Sequence, residues 1–415
     1  IFNSDFIYTQ GMVTSIFYKY NILEEDFIEL PSSPEVKQNF KKYFLKKELN
    51  VGIVGAGGFA AFAAKSFLKL PAIKIIAIAD LNPSIAQNFA KELNADAYSD
   101  YQIFLENNHI DLVYIATPPY LHFEQSKKAL AAGKHVICEK PAALTTSEAE
   151  ELSSLARSLK LLYVVNLMQR YNPLFTIVKT IIDDQMLGKF LHGFFENYAS
   201  DGTLNADHWL WNEAASGGLF IEHGVHFFDM FEGWFGEGKL LSAVQLQRPG
   251  IEAPIKDRVY ATALYSGGIV SFYHAFDQPA VLEKQELRLQ FEKGEINLYE
   301  WIPVKMKLTG LLQKHHLQRL EELMENLSIA HLDEPSALDR KVHGRFKEIV
   351  FNDYVTIEYG HASEKQDRYS KMVTAMMQDQ WNWINNPNHK RIIDDTNAIE
   401  SLRMAEHATQ MAQKY

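Results

Sequence analysis

From Leu49 onward, short unbroken apolar runs alternate with helix-like stretches, and this alternation limits the possible folds more than any other feature of the chain. A strand with one solvent-exposed face alternates polar and apolar residues. Runs such as "IKIIAIAD" and "IDLVYIATP" lack this alternation, so they suit strands that are covered on both faces. The regular order of strand and helix favours an α/β domain built on a doubly wound parallel sheet. We predict this domain over residues 48–168.

The pattern changes after Arg170, where the strand-like runs become longer and turns contain glycine. The stretches "YSGGIVSF" and "FEKGEINL" are typical of hairpins. We therefore predict an α+β domain over residues 169–390 with a large, mainly antiparallel open sheet. Residues 303–345 are expected to be helix-like but irregular, and "DRYSKMVTAMMQDQWNWI" and "DTNAIESLRMAEHATQMAQ" are predicted to form two closing helices.

The two ends of the chain lie outside both predicted domains. Residues 1–47 form an N-terminal extension of unknown role, in which "SSPEVKQNFKKYFLKK" is typical of a capped amphipathic helix. No basic region precedes a continuous apolar stretch there, so we expect no signal peptide. Residues 391–415 carry the last predicted helix, which could pack back on the first domain.

Composition narrows the class of partner. The chain has 415 residues, of which 47% are hydrophobic, and this suits about two domains. The net charge of -11, without any block of Lys and Arg, disfavours nucleic acid as a partner. No stretch of about eighteen apolar residues occurs, so no membrane span is expected. Cys138 is the only cysteine, which excludes a disulfide within the chain and fits a cytoplasmic location.

The stretch "VGIVGAGGFAAFAAKSF" joins the first predicted strand to a helix rich in small residues. Gly55 permits a tight turn, Gly57 lets a pyrophosphate approach the backbone, and Ala60 allows the helix to pack closely on the strand. The N terminus of the helix offers N–H groups and a positive dipole end to phosphates. This pattern is typical of the Rossmann fold, with predicted cofactor contacts at Gly55, Gly57, Gly58, Phe59 and Ala60.

The second strand ends at Asp80, where a carboxylate can accept hydrogen bonds from both ribose hydroxyls of an adenosine. Asp80 would repel a 2′-phosphate, and no arginine follows it in "LNPSIAQ". NAD is therefore favoured over NADP as the cofactor. The alternative is that Asp80 is an ordinary turn or helix-capping residue.

Four stretches together make the chain resemble the glucose-fructose oxidoreductase and inositol dehydrogenase (Gfo/Idh/MocA) family. They are "GIVGAGGFA", "IADLNP", "YIATPPYLHFEQSKKALAAGKHVICEKPAALT" and "SGGLFIEHGVHFFD", in that order. The resemblance covers about residues 49–236 with strong motifs and the remainder more loosely. It implies an NAD(P)-dependent oxidoreductase that acts on CH–OH groups. Residues 1–47 and about 303–345 lie outside the family pattern.

The resemblance assigns Glu139, Lys140 and Pro141 to the end of a strand beside the nicotinamide, with a Lys-Pro peptide that is commonly cis. The residue pattern agrees, because doubly wound folds bind ligands at the carboxyl ends of their strands. A solvated loop is the ordinary alternative for a neighbouring Glu-Lys pair. Thr117 and Pro118 end another strand and resemble the Thr-Pro pair with which the family contacts the cofactor.

The family pattern Asp-x-Gly-x-His falls on "EHGVH". It implies that His226 is the acid/base residue and that Glu222, which replaces the aspartate, assists it. The four-residue spacing puts both side chains on one face of a helix. A metal site built from Glu222, His223, His226 and His208 is a competing hypothesis. We expect no metal, because neighbours such as Glu222 and His223 cannot both face His226 on a regular helix; a core histidine with satisfied hydrogen bonds is the other alternative.

Further contacts follow from the resemblance. His122 matches a cofactor-contact position, although it could simply cap or pack. Arg170 in "QRYNP" resembles a position that borders the active site. Trp211 and Asn212 precede the glycines of "SGG", where a substrate loop is expected. The usual family pair is Trp-Arg, so Trp-Asn points to an unusual substrate.

These features predict reversible NAD-dependent oxidation of a secondary alcohol on a sugar, cyclitol, nucleotide sugar or related polyol. His226 would accept the hydroxyl proton, Lys140 would hydrogen-bond the reacting oxygen, and Glu222 would orient His226 or bind a neighbouring hydroxyl. Two alternatives stay open: an enzyme that keeps its NAD bound for net hydrolysis, epimerisation or transfer, and a non-catalytic NAD-binding protein. The resemblance also implies a homo-oligomer, a dimer or tetramer, formed through the exposed face of the second sheet.

Overall fold

The computed structural model of the protein describes residues 48–250, 255–344, 347–361 and 364–413. The predicted N-terminal extension over residues 1–47, its amphipathic helix and the expected lack of a signal peptide fall outside these ranges. Among the described residues, none of the helices combines the length and the apolar character that crossing a bilayer requires.

The first sheet confirms the predicted doubly wound α/β architecture. Its strands are β1 (Leu49–Val54), β2 (Ile73–Ala79), β3 (Asp96–Tyr98), β4 (Leu112–Ile115), β5 (His135–Cys138) and β6 (Tyr163–Val165). They run parallel in the order β3-β2-β1-β4-β5-β6. The connecting helices are α1 (Gly58–Phe67), α2 (Pro83–Leu93), α3 (Tyr101–Glu106), α4 (His122–Ala131) and α5 (Thr146–Leu159). Because the strands are parallel, their carboxyl ends meet at one edge of the sheet.

Local sequence explains where the helices begin. Thr145 and Glu148 form a capping box at the start of α5, each side chain accepting from the other's backbone N–H. The side chains of Asn82 and Asp100 cap α2 and α3. Helix α1 differs, because Gly57 at its start provides no side-chain cap. The first N–H groups of α1 are therefore left for another partner.

The second sheet is mixed but mostly antiparallel, as predicted. It contains β7 (Phe190–Ser200), β8 (Lys239–Gln247), β9 (Lys256–Tyr265), β10 (Gly268–Gln278), β11 (Lys284–Phe291), β12 (Gly294–Tyr299), β13 (Lys305–Leu312), β14 (Ser328–His331) and β17 (Asp353–Gly360). The strand order is β14-β17-β13-β12-β11-β7-β10-β9-β8, and only β7 and β10 pair in parallel. Both predicted hairpins are confirmed, as β9–β10 and β11–β12.

Helix α6 (Pro173–Asp183) precedes β7, and two further helices, α7 (Glu213–Ser216) and α8 (Val225–Phe235), lie between β7 and β8 in the chain. A five-residue π-helical turn, Phe220–Gly224, leads directly into α8. The apolar residues of α8, among them Phe227, Phe228 and Phe231, join one core cluster with the inner side of the second sheet. Phe220 and Ile221 of the π-helical turn are buried in the same cluster, so the turn packs on the second sheet's core.

The expectation of an irregular helical stretch over residues 303–345 is wrong. This part of the chain contains β13, the helix α9 (Lys314–Leu323), β14 and β15 (Arg340–Gly344). Strand β15 pairs with β16 (Lys347–Phe351) in a separate two-stranded sheet. In β13 the burial alternates from residue to residue, which is the period of a strand with one covered face. The ten-residue α9 interrupts these short strands. A long stretch of sequence therefore mixes the hydrophobic period of a helix with that of a strand, and its periodicity does not identify either element.

The two predicted closing helices are confirmed as α10 (Lys365–Asn385) and α11 (Asn397–Ala412). Helix α10 packs on α1, and the Thr374 hydroxyl donates to the backbone oxygen of Ser66 at 2.9 Å. Its buried side chains Met376, Met377 and Trp381 belong to the same core cluster as β1 and β2. A helix that follows the second sheet therefore completes the core of the first.

Helix α11 packs on β8 and α8 and also contacts α5. Glu406 accepts a hydrogen bond from the Thr146 backbone N–H at 2.9 Å, and Arg403 pairs with Glu150 at 3.0 Å. These contacts join the last helix to the first sheet's helical layer. The division of the chain at residues 168 and 390 stays a prediction.

Candidate active site

The glycine turn between β1 and α1 leaves open space at the start of the helix. Gly55 has φ of 86°, and a Cβ atom there would lie 2.7 Å from the backbone oxygen of Ala116. At Gly57 and Gly58, by contrast, a Cβ atom would meet nothing within 4 Å. Gly55 is thus required by the fold, whereas the other two glycines border a space. Together with the uncapped N terminus of α1, this space fits the pyrophosphate of a dinucleotide.

Asp80 follows β2 and binds the glycine turn. Its Oδ2 accepts from the Ala56 backbone N–H at 2.9 Å, and its Oδ1 accepts from the Asn82 backbone N–H at 2.8 Å. Asp80 therefore has the turn-stabilising contacts of the alternative interpretation. A carboxylate has further lone pairs, so these two bonds leave acceptor capacity for a ribose hydroxyl. The predicted ribose contact stays a prediction.

A row of four rings leads from the glycine turn to helix α8. It consists of Phe59, Tyr369, Trp301 and His226, with successive centroid distances of 5.9, 5.3 and 6.0 Å. Ala60, next to Phe59, is buried under the first sheet's core. Tyr369 and Trp301 were missed by the sequence analysis, because neither belongs to a short motif. Only the folded chain brings the two aromatic rings between predicted site residues.

The carboxyl end of β4 is fixed by buried side chains. Thr117 donates from Oγ1 to Oε1 of Gln125 at 2.6 Å, and Pro118 precedes a turn of 3-10 helix. His122 is buried, with Nδ1 2.7 Å from the backbone oxygen of Pro141 and Nε2 2.7 Å from that of Thr117. Burial lowers the pKa of His122. The predicted cofactor contact of His122 is untested, and its two contacts favour a role in holding the strand ends together.

Glu139 follows β5 and is tied to both neighbouring strands. The Tyr114 hydroxyl of β4 and the Asn166 side chain after β6 both donate to Oε1 of Glu139, the second at 2.8 Å. Burial raises the pKa of Glu139, while the bonds from Tyr114 and Asn166 and the charge of Lys140 oppose that rise. Because both bonds use Oε1, Oε2 is the oxygen that could meet a ligand.

Lys140 and Glu222 meet although 82 positions separate them in the chain. The Lys140–Pro141 peptide is cis, as the family resemblance implied. Lys140 donates from Nζ to the backbone oxygen of Glu222 at 2.7 Å and forms an ion pair with the Glu222 carboxylate. The two side chains are only 17% and 13% exposed, so the pair is largely removed from solvent. This contact joins the Glu-Lys-Pro motif of the first sheet to the π-helical turn before α8.

His226 lies one turn beyond Glu222 but does not bond to it. The expected shared helix face is altered because Glu222 lies in the π-helical turn and directs its carboxylate to Lys140. His226 is 3% exposed, and its Nδ1 is sealed from solvent without a hydrogen-bond partner. Burial, followed by the positive charge of Lys140, lowers the pKa of His226 well below its usual value. A neutral imidazole at this position can accept a proton through Nε2.

The competing metal hypothesis gains no support from the geometry. Within the ranges that the structure describes, no cluster of three or more His, Cys, Asp or Glu residues has an arrangement able to hold a metal ion. His208 instead accepts from the Leu210 backbone N–H at 3.2 Å, which caps the short helical turn before α7.

The predicted substrate loop reaches the first sheet. Trp211 donates from Nε1 to the backbone oxygen of Asn205 at 3.0 Å, and the Arg248 guanidinium lies 6.0 Å from its ring centroid. Asn212 caps α7 by accepting from the Ala214 backbone N–H at 3.0 Å. Helix α7 in turn contacts the 3-10 turn Pro119–Leu121 after β4. The loop thus crosses to the strand end that carries Thr117, and its substrate contacts stay a prediction.

Arg170 is occupied by a buried partner. Its Nε and Nη2 donate to the two carboxylate oxygens of Asp229 at 2.9 and 2.8 Å, and Asp229 is fully buried in α8. The guanidinium also lies 5.6 Å from the ring centroid of Phe175. Substrate binding by Arg170 is untested, and these contacts favour a role in anchoring α8.

The fold and the site define a class of protein. A doubly wound sheet with a glycine turn and a free helix N terminus, joined to a large open sheet, is the architecture of two-domain dinucleotide-binding proteins. The oxidoreductase family model with an NAD-binding Rossmann fold matches residues 49–167, and the C-terminal domain model of the same family matches residues 175–297. The chain belongs to the Gfo/Idh/MocA family.

Several curated proteins are similar in sequence. Levoglucosan dehydrogenase of Pseudarthrobacter phenanthrenivorans is 30% identical over 48% of this chain and 54% of its own length. Oxidoreductase P35 of Formosa agariphila is 23% identical over 68% of this chain and 89% of its own length. Glucose-6-phosphate 3-dehydrogenase of Bacillus subtilis is 26% identical over 43% of this chain and 52% of its own length. The first and last of these matches span about half the relative's length.

Solved structures share the fold over most of both chains. Levoglucosan dehydrogenase in complex with NADH and levoglucosan gives a TM-score of 0.69 at 18% identity, covering 89% of this chain and 98% of that one. The WlbA dehydrogenase from Bordetella pertussis, in complex with NADH and UDP-GlcNAcA, gives 0.68 at 16% identity, covering 89% and 96%. At these identities the similarity shows the fold.

Proposed function

We propose that the protein is an oxidoreductase that transfers a hydride between NAD and a secondary alcohol of a sugar, cyclitol, nucleotide sugar or related polyol. The observation that carries this proposal is the bond between Lys140 and Glu222, which brings the Glu-Lys-Pro motif to the helical segment of His226. An ammonium and a neutral imidazole then lie at the junction of the two sheets. These are the two groups that oxidation of an alcohol needs, one for the oxygen and one for its proton.

The choice of NAD rests on Asp80. Its carboxylate ends β2 beside the glycine turn, and a 2′-phosphate there would face a negative charge. Relatives of this fold are known with NADH and with NADP, so the family alone does not decide. We propose the pyrophosphate contacts at Gly55, Gly57, Gly58, Phe59 and Ala60 and the nicotinamide contacts at Thr117, Pro118, Glu139 and Lys140.

The chain's own residues would handle the oxygen and the proton. Lys140 has three N–H donors, and two are used by the carbonyl and carboxylate of Glu222, which leaves one for the substrate oxygen. Glu222 therefore positions Lys140 rather than His226. His226 would accept the hydroxyl proton at Nε2, because Nδ1 is sealed. NAD, when bound, supplies the hydride acceptor, and the protein supplies position and charge.

The names of relatives support a carbohydrate alcohol as the substrate class. Levoglucosan dehydrogenase and glucose-6-phosphate 3-dehydrogenase are among the similar curated proteins. We propose that Trp211 and Asn212 face the substrate from the loop before α7. The Trp-Asn pair would contact the substrate without the positive charge that the usual arginine brings to that position.

The experiment is a screen of sugars, cyclitols and nucleotide sugars followed by NADH absorbance, with Lys140→Ala and His226→Ala. Each variant should lose about 10²- to 10⁴-fold in kcat while retaining NAD binding in calorimetry. The matched controls are Lys91→Ala and His109→Ala, which remove the same side chains from exposed positions. Full turnover by either site variant would refute the assignment. Turnover without added NAD would favour the alternative in which NAD stays bound, and NAD binding without hydride transfer would favour a non-catalytic protein.

We also propose a homo-oligomer in the cytoplasm. Val244, Leu246, Tyr260 and Ile269 are exposed on the face of the second sheet that points away from the helices. Such an apolar face supports association with a second copy. Light scattering after size exclusion should give a dimer or tetramer, and Leu246→Lys with Ile269→Lys should reduce it to a monomer; a wild-type monomer would contradict the proposal.

A further inference from the structure

Two histidines near the segment of His226 are not used by the proposed reaction: His223 comes three residues before His226, and His274 contacts Phe227, the residue after it. His274 belongs to β10, is fully buried, and has no hydrogen-bond partner at either ring nitrogen. His223 belongs to the π-helical turn, and its Nε2 is also sealed without a partner. The two rings meet edge to face with their centroids 5.1 Å apart. With Nδ1 of His226, these atoms make four buried nitrogens without a partner in one region.

Among the residues that the structure describes, none gives these nitrogens a hydrogen-bond partner. Rings of Phe195 and Phe227 lie 5.3 and 5.6 Å from His274, and Phe276 lies 5.2 Å from His223. Phenyl rings supply no hydrogen-bonding group comparable to an imidazole. Buried polar atoms in native proteins are nearly always paired, with protein or with internal water. Because no hydrogen bond joins the histidines directly, internal water is expected to link them.

Glycine in the motif brings the helical turn close to the sheet. A Cβ atom at Gly224 would lie 3.7 Å from Nε2 of His274 and 3.2 Å from the Phe228 ring. The backbone of the turn that carries His223 therefore lies against the ring of His274. The charged neighbours are Lys140 and Glu222, which are bonded to each other on the side of the first sheet.

The proposed reaction requires one particular tautomer of His226. A neutral imidazole has one N–H, and accepting a proton at Nε2 requires that this N–H be at Nδ1. An N–H at Nδ1 needs an acceptor, as in other catalytic histidines that a second group orients. Glu222 does not provide one here, because Nδ1 of His226 has no partner among the described residues and the Glu222 carboxylate is directed at Lys140.

We propose that His223 and His274 are positioning residues for His226, forming with its Nδ1 a buried hydrogen-bonded group that is completed by internal water. The Nδ1–H of His226 donates a hydrogen bond to this group. The lone pair of Nε2 is then directed at the substrate hydroxyl. This inference rests on the proposed function of His226. In this arrangement the imidazoles of His223 and His274 orient His226, and Glu222, the acidic residue of the motif, does not.

The first test is ¹⁵N NMR of the histidine side chains in the whole protein, with and without added NAD. Wild-type His226 should be the neutral Nδ1–H tautomer at pH 7. A protonated ring or the Nε2–H tautomer would overturn the proposal. Because this measurement needs no substrate and no variant, it decides the question even if substitutions in the core prevent folding.

The second test uses His274→Leu and His223→Leu, with His274→Gln as the conservative variant. The leucine variants should lose the tautomer preference of His226 and at least about tenfold in kcat, with altered pH dependence of kcat. His274→Gln, which restores an acceptor, should recover part of both. Phe227→Leu is the matched control, because it alters packing against His274 without removing a nitrogen.

If His226→Ala and Lys140→Ala keep full turnover, the proposed function is wrong. If those variants lose activity but His274→Leu and His223→Leu behave like Phe227→Leu in tautomer and pH profile, the positioning role is wrong and the function stands.

Discussion

Gly55 and Gly57 lie two positions apart in one turn and have different constraints. Gly55→Ala should lower the free energy of unfolding by at least about 1–2 kcal/mol, because φ is 86° and the new Cβ would meet the Ala116 oxygen at 2.7 Å. Gly57→Ala should leave stability nearly unchanged, because its φ is −76° and its Cβ meets open space, yet it should weaken NAD binding. Urea unfolding and calorimetry measure the two effects. If the two variants lost the same amount of stability and the same amount of NAD affinity, the two glycines would not have different constraints.

Arg170 provides a second prediction at the scale of single residues. Arg170→Met should lower stability by about 3–5 kcal/mol, because it leaves the Asp229 carboxylate buried without its partner. The double variant Arg170→Met with Asp229→Leu should recover part of this loss. Denaturant unfolding measures both. A stable Arg170→Met enzyme with a raised KM would instead support the substrate-binding role that the sequence predicted.

Single residues were predictable where a motif fixes both residue type and place. The convergence of Lys140 with the "EHGVH" segment followed from two short motifs at strand and helix ends. Tyr369 and Trp301 were not predictable, because each approaches the cleft through packing of distant elements. The partner of Glu222 was missed as well, since a π-helical turn has the same local composition as an α-helix.

At the scale of elements, helix α8 buries a second carboxylate whose protonation links stability to pH. Burial raises the pKa of Glu232 from 4.5 to about 9, with further contributions from Asp229 and Glu400. The folded protein thus holds a proton that the unfolded chain releases, so stability from this group is present below pH 4.5 and falls as pH rises towards 9. Glu232→Gln should therefore raise the unfolding midpoint, relative to wild type, more at pH 8 than at pH 5.

The control for this prediction is Glu237→Gln, an exposed carboxylate just after the same helix. The unfolding midpoint of Glu237→Gln should differ from that of wild type by the same amount at pH 5 and at pH 8. If Glu232→Gln also shows no dependence on pH, Glu232 is not protonated in the folded protein.

Elements were predictable where their partners are close in the chain. The β9–β10 hairpin turns at Ser266 and Gly267, both with positive φ, which the "SGG" sequence favours. Strand β13 was not predictable, because its partner β17 is distant in the sequence: Lys305 of β13 pairs with Gly360 of β17. Periodicity over eight residues is too short to identify such a strand when a helix follows directly.

At the scale of the whole molecule, the first sheet depends on a helix from the other end of the chain. Met376, Met377 and Trp381 of α10 are buried in the same cluster as β1 and β2. A fragment of residues 48–168 should therefore lack a cooperative unfolding transition and bind NAD weakly, because one side of its core is uncovered. Circular dichroism and calorimetry compare it with residues 48–413. A fragment that unfolds sharply and binds NAD as the longer chain does would show that α10 is dispensable.

The convergence of an ammonium and an imidazole on one dinucleotide is tested most directly by a crystal structure with NAD bound. We expect the pyrophosphate at the N terminus of α1 and the nicotinamide ring beside the space into which Lys140 Nζ and His226 Nε2 both point, with room there for the substrate hydroxyl. A nicotinamide ring bound elsewhere, or a His226 ring that cannot reach its reactive carbon, would contradict the proposed active site.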